Sequence, residues 1–160
     1  MNILKEIRYH HWAEKEFLKV LENINQNQWI EVDQILGKSL QGIYIHKIEV
    51  MWYWFAHIKQ IDPVDPPKFE DMTAKELLRC LFQQFDEIES YVQNNPNISV
   101  KLSLPWLNQP YNITAHELLF NNLNHHTYHR GQIAMLLKRK NIQVPETDYN
   151  SYMFNSLDLG

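Results

Sequence analysis

The stretch Thr114-Ala-His-Glu-Leu-Leu-Phe-Asn-Asn-Leu-Asn-His-His-Thr-Tyr-His-Arg-Gly-Gln-Ile-Ala-Met-Leu-Leu-Lys-Arg-Lys140 decides the fold. It opens on a capping box, in which the Thr114 hydroxyl and the Glu117 carboxylate each satisfy an orphan backbone donor of a first helical turn. Lys138, Arg139 and Lys140 fall in the last turn, where cations complement the negative end of the helix dipole. Between these ends, His125 and His129 are four residues apart, which puts both imidazoles on one face, one turn above the other. The rest of that face reads Leu118, Asn121, Asn122, Gln132, Ile133 and Leu136, apolar at both ends and polar in the middle. A polar middle on a helix that packs inside a bundle marks a site.

Three further segments carry helical periodicity. Residues 3–24 place Ile3, Ile7, Phe17, Leu18, Leu21 and Ile24 along one stripe, and the polar run from Asn23 to Gln28 ends it. Residues 39–61 begin at Ser39, a good N-cap, are apolar over much of the circumference, and meet a break at Asp62-Pro-Val-Asp-Pro-Pro67. The segment after Thr73 opens with a second capping box, Thr73 with Glu76, and runs through Leu77, Leu81, Phe85, Ile88 and Val92 to Asn94-Asn-Pro96. Residues 98–104 alternate as Ile98, Val100, Leu102 and Leu104, the pattern of a short strand or hairpin before the last helix. The expected fold is therefore all-α, a four-helix bundle with long crossover connections, in one domain over residues 1–160. The tail from Val144 keeps Tyr149, Tyr152, Met153, Phe154 and Leu157, so it docks on the bundle or forms a dimer contact.

Composition narrows the function. The 160 residues carry 15 Lys+Arg against 19 Asp+Glu, a formal net charge of -4, which offers no footprint for nucleic acid or an anionic membrane. No segment approaches the roughly 20 apolar residues of a membrane helix, and Lys5, Glu6 and Arg8 interrupt the start where an export signal would be apolar. The lone cysteine, Cys80, excludes an intrachain disulfide and reads as a small core residue; a cytoplasmic protein is expected. The Trp52-Tyr-Trp54 cluster reads as core or pocket wall.

Histidine stands out at 8 positions. His125 and His129 can converge on one ion, and a third ligand has to come from a facing helix, where His46 is the candidate among Ile43, Val50 and Tyr53. His57 shares the face of His46 but lies eleven residues on, roughly 16 Å along the axis, too far for the same ion. The plainer reading makes the paired histidines incidental and His46 a hydrogen-bonded core residue. His126, on a face with Leu119, Leu123 and Arg130, reads as a flank or a residue just outside the ligands. Of His10 and His11, one lines a pocket and the other is solvated; His116 reads as a surface residue.

The run Asn124-His-His-Thr-Tyr-His-Arg-Gly-Gln132, with His46 upstream in a helix followed by Glu49 and an aromatic run, resembles the DinB-like (damage-inducible, YfiT-like) family of metal-binding four-helix bundles. The similarity runs from Tyr9-His-His-Trp12 to the end of the last helix, and is most specific over His125 to Gln132. It implies a three-histidine metal site, carried onto His46, His125 and His129, and a homodimer. It also implies kinship with thiol-dependent transferases and isomerases that use bacillithiol, mycothiol or glutathione. The chain departs from the family pattern at His126, where small residues are common, which opens a fourth-ligand or altered-pocket reading.

Three neutral imidazoles leave a coordination position open, the layout of catalytic zinc sites, and imidazole also suits nickel. Asn121, Asn122, Gln132 and Glu49 stand about one turn from a ligand, where they can fix tautomers, and Glu49 can alternatively act as a general base. Tyr53 and His10 are further pocket candidates. Two function classes compete. One is a metal-dependent enzyme activating a thiol or water towards a small electrophilic substrate, as a thiol transferase or hydrolase. The other is a bundle that binds metal or a partner without turnover, as a stress-linked protein.

Overall fold

The computed structural model describes residues 2–157. It is mostly helical, with one small sheet. Local signals set the helix starts: Asn2 caps α1 (Ile3–Leu21), Ser39 caps α3 (Leu40–Ile58), and Thr73 with Glu76 caps α4 (Ala74–Asn94). Thr114 with Glu117 caps α5 (Ala115–Arg139), the longest element, and Lys138 and Arg139 lie in its last turn.

Two helices lie where none was expected. The polar run after α1 contains α2 (Gln26–Ile30), because Asn25 and Gln28 form their own capping box and Trp29 anchors the turn in the core. The tail forms α6 (Tyr149–Leu157), which packs on α1; Tyr9 donates its hydroxyl proton to the Thr147 carbonyl at 2.8 Å and meets the Tyr149 and Tyr152 rings. The side chain of Leu157 lies outside the described set. The expected α1 and α3 are each about one turn too long at their C-terminal ends. Glu22 and Lys59 cap them, and Gln60 takes a positive φ of 55° that no helix continues through.

The alternating segment is a strand, β1 (Ser99–Leu102), paired antiparallel with β2 (Tyr111–Thr114), whose Thr114 end is also the cap of α5. Val100 and Leu102 turn into the core. Each of the four long helices packs on two others: α1 and α3 both lie against α4 and α5. The interior between them is mostly apolar, filled by residues such as Phe17, Ile43, Leu81, Phe85 and Ile133, with Cys80 packed at its margin, and it also encloses the polar side chains of Glu14, Lys47, His126 and Arg130. No helix of the described residues is long and apolar enough to cross a membrane.

Candidate metal centre

Packing of α3 on α5 brings His46 to the pair His125 and His129. The periodicity that buries Ile43 and Lys47 leaves His46 half-buried at the edge of that contact, whereas His129 is buried and His125 half-buried. The three Nε2 atoms converge: His129 to His125 at 3.0 Å and His125 to His46 at 3.2 Å. Ligand atoms of all three lie within 4.8 Å of one another. Nitrogens bound tetrahedrally at zinc–imidazole length stand roughly 3.3 Å apart, so the donor set fits a divalent ion in spacing and in chemistry.

The surroundings keep these rings neutral. Burial holds all three below the ordinary imidazole value, with His129 lowered to about 4. Neighbouring charge adds to burial for each ring: the Lys38 ammonium acts on all three, and a proton on His46 would act on His125 and His129. Gln132 Oε1 lies 2.8 Å from His129 Nδ1. His129 Nδ1–H donates there, which leaves the Nε2 lone pair aimed into the cluster. Replacing Gln132 with Leu is expected to weaken divalent-metal binding about 10- to 100-fold without unfolding the protein, as measured by competition with a chromophoric chelator.

His46 also borders an open cleft of about 470 Å³, walled by Trp52, Tyr53, Trp54, Glu49 and the loop from Pro63 to Pro66. Trp52 Nε1 donates to the Val64 carbonyl at 3.1 Å and so fastens that loop to α3. Glu49 is exposed at this cleft, and its charge pulls the His46 value upward against burial. The Tyr53 ring packs edge-on against Trp54 and His57. Trp52, Tyr53 and Trp54 are thus pocket wall.

Other expected residues lie elsewhere. His126 is fully buried with its ring against Phe85 of α4 and Nδ1 3.9 Å from Glu14 of α1, because one residue turns a helix by about 100° away from His125. His10 lines a separate cleft with Tyr9, Phe120 and Tyr149, and its Nδ1 accepts from Arg130 Nη1 at 2.7 Å. His11, expected in solvent, is buried and stacked on Phe85 with centroids 5.4 Å apart. Asn121 is exposed and Asn122 is buried with its amide unpartnered; no hydrogen bond from either reaches the three histidines.

The sequence reading missed a buried polar group. Glu14 and Lys47, both fully buried, meet at 2.6 Å, and Arg130 Nη1 lies 3.8 Å from the same Glu14 oxygen. The signal was present as charges at core positions: Glu14 falls in the stripe of Ile7, His10, Phe17 and Leu21, and Lys47 in that of Ile43, Met51 and Ile58.

No curated protein matches this chain. The model of the DinB family matches residues 1–157, taking in the helix that bears His46, the helix that bears His125 and His129, and the hairpin between α4 and α5, and the chain belongs to the DinB family.

Proposed function

We propose that this chain is a divalent-metal enzyme that activates a thiol or water towards a small electrophilic substrate, as a thiol transferase or hydrolase. The convergence of three imidazole Nε2 atoms beside an open cleft carries the reading. In it, residues 1–160 form a single four-helix bundle domain in which α1, α3, α4 and α5 are the four helices. His46, His125 and His129 are the ligands, and zinc or nickel suits them best. When bound, such an ion lowers the pKa of a coordinated thiol or water and polarises an electrophile. Gln132 holds the His129 tautomer. The aromatic wall formed by Trp52 and Tyr53 seats the apolar part of a substrate next to His46 and excludes water from it. Glu49, at the same cleft and three residues from His46, accepts the proton that the thiol or water gives up. Asn121, Asn122, His126 and His10 have no direct part in the chemistry.

A low-molecular-weight thiol is the proposed co-substrate, and the single cysteine and the net charge of -4 support a cytoplasmic protein that acts on small molecules rather than on nucleic acid or membrane. Exposed Phe120, Tyr128 and Met135 follow one stripe of α5 and support a homodimer. The test of function is conjugation of glutathione, bacillithiol or mycothiol to a haloaromatic electrophile by protein loaded with zinc or nickel. Metal-dependent thiol consumption is expected, abolished by His46→Ala and lowered at least about 100-fold by Glu49→Gln. Stoichiometric metal with neither thiol transfer nor hydrolysis would favour binding without turnover.

A further inference from the structure

Each of the three clustered histidines is followed in the chain by a residue that turns the other way, into the buried polar group: His46 by Lys47, His125 by His126, and His129 by Arg130. All three followers face one carboxylate, that of Glu14 in α1. Lys47 Nζ donates to Glu14 Oε1 at 2.6 Å, Arg130 Nη1 stands 3.8 Å from that oxygen and His126 Nδ1 3.9 Å from it. Arg130 is held in turn by His10 Nδ1 at 2.7 Å and by the Tyr9 and Thr127 hydroxyls.

From this geometry we infer that Glu14 is a positioning residue of the metal centre, clamping from behind the turns of α3 and α5 that carry His46, His125 and His129. The inference rests on the three-histidine metal reading. Helix α1 supplies none of the three histidines, yet its one buried carboxylate is the shared partner of both helices that do. His46 reaches the other two from a different helix, so the Nε2 spacing depends on the relative placement of α3 and α5. Packing of apolar side chains tolerates small shifts of one helix along another. A charged hydrogen bond of 2.6 Å from Lys47, sealed from water, does not. Because only one peptide unit separates each follower from its histidine, a shift at Glu14 passes to the donor set with little slack.

The experiment compares the full chain with Glu14→Gln and with Val92→Ala, a core change in α4 that contributes nothing to the Glu14 group. Zinc affinity is read by chelator competition, and the cobalt-loaded proteins are read by the position and intensity of their visible absorption bands. Expected is a loss of about 10- to 100-fold in zinc affinity and a changed cobalt spectrum in Glu14→Gln alone, with stoichiometry kept. Unchanged affinity and spectrum, or an equal loss in Val92→Ala with the spectrum intact, would overturn the positioning role while leaving the metal site standing. Absence of metal binding in the unaltered chain would overturn both. If Glu14→Gln does not fold, Glu14→Gln/Lys47→Met and Arg130→Lys are judged by the same criteria, since each loosens the clamp with less unbalanced charge.

Discussion

Replacing His129 with Ala is expected to lower zinc affinity by more than about 100-fold, beyond the loss caused by removing a hydrogen-bond partner of a ligand. The effect is largest at His129 because three features meet there. It is the most buried of the three rings, its Nδ1 is engaged by Gln132, and its Nε2 closes on His125 at 3.0 Å. His125→Ala and His46→Ala should follow with comparable losses, since two imidazoles alone do not hold a first-row ion firmly at neutral pH. His57→Ala should have no effect, its ring being packed on Tyr53 with centroids 4.6 Å apart and outside the cluster. Isothermal titration of the four variants separates these outcomes. Equal affinity in His57→Ala and His129→Ala would remove His129 from the ligand set. Retention of helical circular dichroism in the His129→Ala protein would assign the ion to function rather than to folding.

Replacing Glu14 with Leu is expected to cost about 3–5 kcal/mol of stability. The side chain is fully buried and faces Lys47 and Arg130; without it, two buried cations lose their shared counter-charge. Adding Lys47→Met to that variant should recover part of the loss, because an apolar pair of similar volume tolerates burial better than a lone charge. The same group dictates how stability varies with pH in metal-free protein. Glu14 is ionised well below the usual carboxylate range; burial alone would raise it, and the Lys47 cation, the His126 ring 3.9 Å away and Arg130 more than reverse that. Its contribution is therefore complete above the unfolded value of 4.5 and fades as pH falls below it. His10 is held neutral, by burial first and then by Arg130, so it takes up a proton only on unfolding, and stability falls as pH drops through 6.5. Both act in one direction. Urea midpoints should be level between pH 7 and about 8, where the Lys47 ammonium, lowered by burial, begins to release its proton, and should decline from pH 7 to pH 4, with Glu14→Leu losing the steepening below 4.5. A midpoint that rises on acidification would contradict the burial of these groups.

What the sequence made legible follows from how local each signal is. The caps at Ser39, Thr73 and Thr114 depend on residues three positions apart, and each starts its helix as expected. The alternation through Val100 and Leu102 marks β1, yet its partner β2 lies in Tyr111-Asn-Ile-Thr114, where Tyr111 and Ile113 alternate with polar residues over only four positions, a single one of them half-buried, too short a run to stand out. Helices α2 and α6 are short, and their placement is tertiary, through Trp29 in the core and Tyr9 against the tail.

The site divides in the same way. His125, His129 and Gln132 share one helix face, so spacing alone aligned them, and His46 was the facing-helix histidine amid apolar neighbours. The face of His126 runs through Leu119, Leu123 and Arg130 and reads as a flank or as a residue just outside the ligands, Arg130 being of a type normally solvated. Its charge is accommodated only because Glu14 arrives from α1, more than 100 residues earlier, and no single-helix pattern displays that meeting. Glu14 itself lay in plain view at a core position, between Ile7, His10 and Phe17, Leu21. A buried charge needs a partner, and the search for one leads to Lys47 and Arg130.

The most direct test of the three-histidine centre is X-ray absorption of the zinc-loaded chain, purified without an affinity tag. One ion per chain with a shell of three imidazole nitrogens at about 2.0–2.1 Å and one further light atom is the predicted result. A sulfur shell, two or fewer imidazoles, or no retained zinc would contradict it.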